Sequence, residues 1–197
     1  PDRLSPVPLQ GTTCRHGALH ARGMWGDGCS GGGGGTPGKC GTKCCGEVPI
    51  VDTVADTVAE TNANVSVIYV PPPFASDAMM EAAAAGVALI VCITEGVPVL
   101  DMTRVYPFVK EKGARLLGPN CPGLISPGQS KVGIIPGSIC TPGPFGLVSR
   151  SGTLTYEVVY QLTRAGMGQP TCVGIGGVPL NGVNFTARQT SSPLKPG

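Results

Sequence analysis

Charge is scarce in this sequence. Only 13% of its 197 residues are Asp, Glu, Lys or Arg, and the formal net charge is +2. So thin a charge layer leaves room for buried strands or a buried contact face. Aromatics make up 5% of the chain, and no run of Lys and Arg interleaves with them. The electrostatic footprint of a nucleic-acid binder is therefore missing, and nothing draws the chain to an acidic membrane face. Long apolar runs are missing too. The longest, residues 82–93, falls well short of the about 20 residues that a membrane span needs. The nine cysteines include no C-x-x-C pair, which argues against a structural zinc site and for a reducing, intracellular setting. The sequence starts at Pro1-Asp2 without Met and shows no Arg-rich leader, so targeting is not legible from it.

What the chain has in quantity is Gly (31) and Pro (20). Beyond residue 48 these punctuate apolar segments. Asp52 or Thr53 caps an expected helix through Glu60. Residues 65–70 read as a buried strand, stopped by a rigid Pro71-Pro-Pro73 loop. Ser76 or Asp77 caps a helix through Ala85, and Gly86 ends it. Residues 87–92 form the next strand, Pro98 opens a helix to about Lys112, and residues 115–117 form a short strand. Strands alternating with helices predict an α/β fold with a parallel sheet covered on both faces. Its ligand loops lie beyond the strands' carboxyl ends, at residues 71–74, 93–96 and 118–123.

Residues 126–143, rich in Pro-Gly pairs, read as a linker carrying a short hairpin or extended piece. A strand at 145–149, a helix at 152–165 and a strand at 171–175 follow. One such unit cannot bury its own faces, so the second domain reads as incomplete. The first 47 residues read as degraded. Residues 4–9 would make a strand, but Pro6 and Pro8 lack ladder donors. Residues 18–27 would make a helix, but Gly23 and Gly26 each cost it about 1 kcal/mol against Ala.

The chemistry concentrates in Ser149-Arg-Ser-Gly-Thr-Leu-Thr-Tyr-Glu157, a polar turn between a strand and a helix. Such a turn aims backbone N–H groups and the positive helix end at one point, which suits a phosphate. The same residues also suit an ordinary Ser/Thr cap.

Six ordered stretches carry a family resemblance: Thr36-Pro-Gly-Lys39, Val65-Ser-Val-Ile-Tyr-Val-Pro71, Ile93-Thr-Glu-Gly96 with Leu100-Asp-Met102, Gly118-Pro-Asn-Cys-Pro-Gly123, Val148-Ser-Arg-Ser-Gly-Thr-Leu-Thr-Tyr-Glu157 and Thr171-Cys-Val-Gly-Ile-Gly-Gly177. Together they resemble the α subunit of succinate–CoA ligase. The resemblance implies a Rossmann-like, parallel-sheet CoA-binding domain (1–125, with 1–47 degraded), the 126–143 linker and a truncated flavodoxin-like ligase domain (144–197). It implies interconversion of succinyl-CoA, nucleoside diphosphate and phosphate with succinate, CoA and nucleoside triphosphate. A β subunit is implied as partner, carrying the nucleotide and Mg²⁺, as is a mitochondrial matrix location, by likeness to eukaryotic members.

Residue by residue, the family's CoA loop reads G-F-T-G-x-Q-G-T-F-H, against Gly11-Thr-Thr-Cys-Arg-His-Gly-Ala-Leu-His20 here. Gly11, Thr13, Gly17 and His20 agree, whereas Cys14 stands for a glycine and His16 for a glutamine. The resemblance thus places Thr13, Cys14, Arg15 and His16 at CoA, with Lys39 on a CoA phosphate. It puts Ile93, Thr94 and Glu95 along the CoA site, and Asn120 and Cys121 near its thiol end. Ser151, Gly152 and Thr153 would donate N–H groups to the phosphoryl group, and Tyr156 would lie near succinate. Without the family, Lys39 is a solvated lysine beside a Pro-Gly turn and Cys121 a thiol with no visible activation. Two departures stand out. The family's phosphohistidine sits in a Gly-His-Ala-Gly context, whereas the only histidines here are His16 and His20. Val178 stands where the family has Asp. The alternative expectation is therefore a non-catalytic relative that binds CoA or the β subunit.

Overall fold

The structure, a computed structural model, describes residues 6–11, 15–35, 43–44, 48–180 and 182, with residues 6, 8, 15, 16, 30–32, 35, 43, 44, 48 and 49 described by backbone alone. Its first strands are β1 (Pro6–Gln10), β2 (Ser30–Gly35), β3 (Lys43–Cys44) and β4 (Val48–Val51). They are followed by β5 (Val65–Ile68), β6 (Leu89–Cys92) and β7 (Arg115–Leu117). Among the described residues these seven make one sheet in the order β3-β4-β2-β1-β5-β6-β7. All neighbours pair in parallel except β3, which runs antiparallel on the edge. The six parallel strands, counted along the chain, stand in the order 3-2-1-4-5-6 of a doubly wound dinucleotide-binding sheet. The chain winds outward from β1 in one direction, then crosses back and winds outward from β5 in the other.

Two layers cover the sheet. On one face lie α2 (Val54–Thr61), α3 (Pro72–Ala84) and α4 (Val99–Glu111). Their Val54, Ala75, Met79, Ala82, Met102 and Val105 close over Ile68, Ile90 and Leu116. On the other face lies α1 (Arg15–Gly26) together with a second sheet of β8 (Gly123–Ser126), β9 (Ser130–Gly133), β10 (Leu147–Ser149) and β11 (Cys172–Gly174). Leu124, Val132, Val173 and Ile175 of that part meet Val65, Val67, Val91 and Leu117 of the large sheet. Burying each such side chain stabilises the fold by about 1.5–3 kcal/mol. The last helix, α5 (Gly152–Arg164), packs Val159 on the outer face of the second sheet, against Ile125 and Cys172.

Several expectations need correction. Pro6 and Pro8 do not break the first strand, which lies at the centre of the sheet. Its pairing with β5 is confined to Leu9 and Gln10, past both prolines, and its register with β2 shifts between Val7 and Pro8. The missing donors are thus absorbed where the ladder is already irregular. Gly23 and Gly26 do not break α1. Gly23 serves close packing, since a Cβ there would stand 3.2 Å from Lys131 Nζ. That ammonium is buried and pairs with Asp27 just past the helix end, at 2.5 Å. The run Gly31 to Gly35 forms a strand, with Gly33 and Gly34 buried. The triple proline also reads differently. Pro72 and Pro73 start α3, because a proline in the first helical turn loses no hydrogen bond and has its φ already set. Finally, the short hairpin expected at 126–143 is present as β8 and β9, shifted to 123–133 and built into the second sheet. Through β8 it pairs antiparallel with β11, which pairs in parallel with β10.

Among the described residues, no helix is long and apolar enough to cross a membrane, and no group of three or more His, Cys, Asp or Glu is placed to hold a metal. Cys29, Cys92, Cys121, Cys140 and Cys172 are free thiols.

Candidate functional site

The winding reverses between β1 and β5, so a crevice opens beyond the carboxyl ends of these two strands. Gly11 sits at its floor. Its φ is +86°, and a Cβ there would come within 2.8 Å of the Val70 nitrogen. Only glycine allows the chain to turn so tightly there while leaving its backbone open to a ligand. The strand ends are tied together. Tyr69 N–H donates to Gln10 O at 2.9 Å, and Ile93 N–H donates to Ile68 O at 3.1 Å. The Tyr69 ring stacks on His20 of α1, with centroids 5.7 Å apart, and its hydroxyl reaches Met24 Sδ at 3.4 Å. Burial pushes the Tyr69 phenol well above its ordinary pKa. Thr13, Cys14 and Lys39 lie outside the described residues, and Arg15 and His16 open α1 beside Gly11.

The neighbouring loops converge on the same edge. Thr94 Oγ1 donates to Val70 O at 2.6 Å, and Thr94 O accepts from Asn120 N–H at 2.9 Å. Asn120 has φ +53° and points its amide at Glu95 Oε1, 3.5 Å away. The exposed Glu95 thus meets Asn120 at the rim, whereas Ile93 packs against the core. Cys121 is different in kind. It is 4% exposed, and its thiol donates to Cys92 O at 3.2 Å. Burial, with Cys92 beside it, raises its pKa well above the ordinary value. At neutral pH it is a packed thiol, not a nucleophile.

The turn at residues 118–122 joins this crevice to the second sheet. A Cβ at Gly176 (φ +97°) would stand 2.4 Å from Pro119 O, and one at Gly152 would stand 3.9 Å from Pro122. The start of α5 therefore abuts the far side of the same turn. Ser151 caps α5, its hydroxyl accepting from Leu154 N–H at 3.2 Å. Ser149 Oγ accepts the Ser151 N–H at 3.2 Å and donates to Ser151 O. Thr155 N–H donates to Ser151 O, and Arg150 donates to Val178 O at 2.9 Å, bracing the turn. The three amides expected to face a phosphoryl group therefore reduce to two. Ser151 has spent its own on Ser149, which leaves the N–H groups of Gly152 and Thr153 at the helix's positive end. Tyr156 lies one turn further, half-buried, its phenol raised by burial and then by nearby Cys121. Sequence reasoning named the stretches that hold Ser149, Arg150 and Tyr69 but gave these three residues no role. The Ser-x-Ser spacing was the available signal for the first, and Tyr69's place after the strand at the winding reversal for the last.

Comparison with known proteins shows what the chain resembles. The chain is 53% identical over 184 residues, 93% of its length, to succinate–CoA ligase [ADP-forming] subunit alpha 2 of Archaeoglobus fulgidus. It is 52% identical over 90% of its length to the corresponding alpha subunit of Aquifex aeolicus. Over nine-tenths of its length the chain is similar to succinate–CoA ligase α subunits. Residues 2–96 match the CoA binding domain family, which covers the segment read as degraded. The matched part spans 64% and 58% of these two relatives. Among solved structures, ATP citrate lyase from Methanothrix soehngenii, in complex with citrate and coenzyme A, shares the fold with a TM-score of 0.77 at 20% identity. That match covers 94% of this chain and 33% of that one. A dinucleotide-forming acetyl-coenzyme A synthetase from Ca. Korarchaeum cryptofilum shares it with a TM-score of 0.76 at 19% identity, covering 96% and 42%.

Proposed function

We propose that this chain binds CoA in the crevice over Gly11 and serves an acyl-CoA ligase as its α-type component, with succinate as the acid. The observation that carries this reading is the geometry of the turn at 118–122. One side of it is bonded to the loop after β6 through Thr94 and Glu95, and the other abuts the start of α5. A thioester end lying along Asn120 would therefore meet a phosphoryl group held by Gly152 and Thr153 without either site moving.

The chain's own residues suit these ligands. Gly11 leaves backbone exposed where a pyrophosphate needs close approach. Lys39 pairs with a CoA phosphate, and Thr94 and Asn120 fix the pantetheine path. Gly152 and Thr153 stabilise negative charge on phosphate or an acyl phosphate, and Tyr156 borders the acid. A β subunit, supplying nucleotide and Mg²⁺, completes the ligase, and a mitochondrial matrix location belongs to the same reading. Succinate–CoA ligase homology and the CoA binding domain match support it.

The test is calorimetric titration of the purified chain with CoA. The expected result is saturable binding that weakens at least about tenfold in Lys39→Ala, the loss of one charge-assisted phosphate contact. Equal affinity in both proteins would remove Lys39 from the site, and no binding to either would remove the site itself.

A further inference from the structure

Among the described residues the two sheets end on β3, β7, β9 and β10, and the first three of these edges are blunted. β3 is two residues long. β7 begins on the exposed Arg115, and Gly182 N–H donates to Gly118 O just past its end. β9 is buried throughout, and the turn after α1 lies against it. There the Cys29 thiol donates to Lys131 O at 2.7 Å, and a Cβ at Gly28 would stand 2.5 Å from Gln129 O. Short length, an edge charge and a covering segment all keep a strand edge from pairing with another chain.

β10 carries no charge and no cover. No Asp, Glu, Lys or Arg stands between Lys131 and Arg150. Leu147 N–H donates to Thr171 O at 3.1 Å, and Ser149 O accepts the Ile175 N–H at 2.8 Å. Alternation along the strand therefore turns the Val148 N–H and C=O outward, away from β11. Val148 stands opposite Val173, so its side chain carries the apolar layer between the sheets out to the edge. It is 37% exposed there, and Phe145 just ahead of the strand is 48% exposed.

We propose that β10 is a self-association edge: two copies of this chain pair β10 antiparallel, about a two-fold axis that sets Val148 opposite Val148. The outward N–H of each Val148 donates to the C=O of the other, and the second sheet of one copy runs on into that of its partner. In this register each Arg150 faces a Gly146, so no like charges meet. The two exposed Val148 side chains cover one another, and Phe145 lies along the same seam. A second copy suits this edge better than a foreign segment, because the seam is uncharged and offers nothing that an acidic or basic partner would recognise. A copy brings the same apolar side chains and the same outward donors and acceptors, in a pairing that closes on itself. A seam of a few residues falls below about 1,200 Å², the class of weak, concentration-dependent contacts.

The test is sedimentation equilibrium of the full chain from about 1 to about 300 µM, with dithiothreitol present so that its cysteines form no links between copies. Monomer should convert to dimer within this range, and hydrogen exchange in the peptide holding Val148 should slow as concentration rises. Val148→Lys sets two ammonium groups face to face and should raise the dissociation constant at least about fivefold. Phe145→Lys, at an exposed position that brings a cation towards the other copy's end of the seam, should act in the same direction. Val148→Thr keeps the backbone bonds and the β-branch and should leave the dimer in place. A monomer across the whole range would overturn the proposal, as would a dimer that both lysine variants leave intact. Slow exchange in β10 that does not change with concentration would show the edge covered from within one chain, and would overturn it equally.

Discussion

The two halves of the large sheet reach the same geometry from opposite materials. On one side of the winding reversal, β5, β6 and β7 are runs of Val, Ile and Leu, buried nearly throughout. On the other, β1 carries two prolines and β2 is almost entirely glycine. The first half has little side chain to pack and draws its cohesion from its neighbours: Val7 and Leu9, with Ala21 and Met24 of α1, insert among the Val67, Val91 and Leu124 cluster. The strands of the second half bring their own apolar faces. A sheet position can thus be held by surrounding contacts, even where local preference points away from strand.

Core truncation on each side is the sharpest way to break this comparison. Ile90→Ala and Leu9→Ala both empty fully buried sites, and each should cost about 2–5 kcal/mol in denaturant unfolding. If the glycine half depends on its neighbours, Ile90→Ala should also speed hydrogen exchange in β1 and β2. Exchange that stays local to β6 would mean that the halves are independent. Asp27→Ala comes next. It leaves the Lys131 ammonium buried without its carboxylate and should cost about 2–3 kcal/mol, less than a fully buried pair because Asp27 is one-third exposed. Lys131→Met should recover most of that loss, and failure to recover it would show that the pair does not join α1 to the second sheet.

Alkaline pH strains both halves through buried acids. Burial raises Cys92 to about 12, and Cys121 and Tyr69 shift in the same direction. These groups keep their protons in the folded chain after the unfolded chain has lost them. Stability is therefore intact below pH 9 and falls above it, by about 1.4 kcal/mol per pH unit for each group between its two values. A flat urea midpoint from pH 8 to 10.5 would contradict these burials. The smallest effect belongs to the crossover between the halves. Thr53 caps α2, its side chain accepting from Asp56 N–H at 3.1 Å, and Thr53→Ala should cost about 1 kcal/mol, seen as a small drop in melting temperature.

This contrast also explains what the sequence made legible. The apolar runs of β5 to β7, the presence of the helices between them and the Ser151 cap follow from period and residue type, but α3 starts at Pro72 without a side-chain cap, not at the expected Ser76 or Asp77. The glycine strand offers no side-chain period to read. Pro6 and Pro8 looked prohibitive because the strand's neighbours, and where their ladders begin, are facts of topology. The antiparallel join of β8 to β11 is long-range, and nothing local in 123–133 announces it. At the site, the helix start at 152 was readable, but the loss of the Ser151 amide to Ser149 depends on a hydroxyl rotamer that the Ser-x-Ser spacing permits and does not fix.

Hydrogen exchange of the whole chain, with and without saturating CoA, tests the central claim most directly. The account predicts slowed exchange in peptides holding Gly11 to His20, Ile93 to Glu95 and Gly118 to Cys121, with β9 and the body of α5 unchanged. Protection that appears elsewhere, or an identical pattern with CoA present, would contradict a ligand site at the winding reversal.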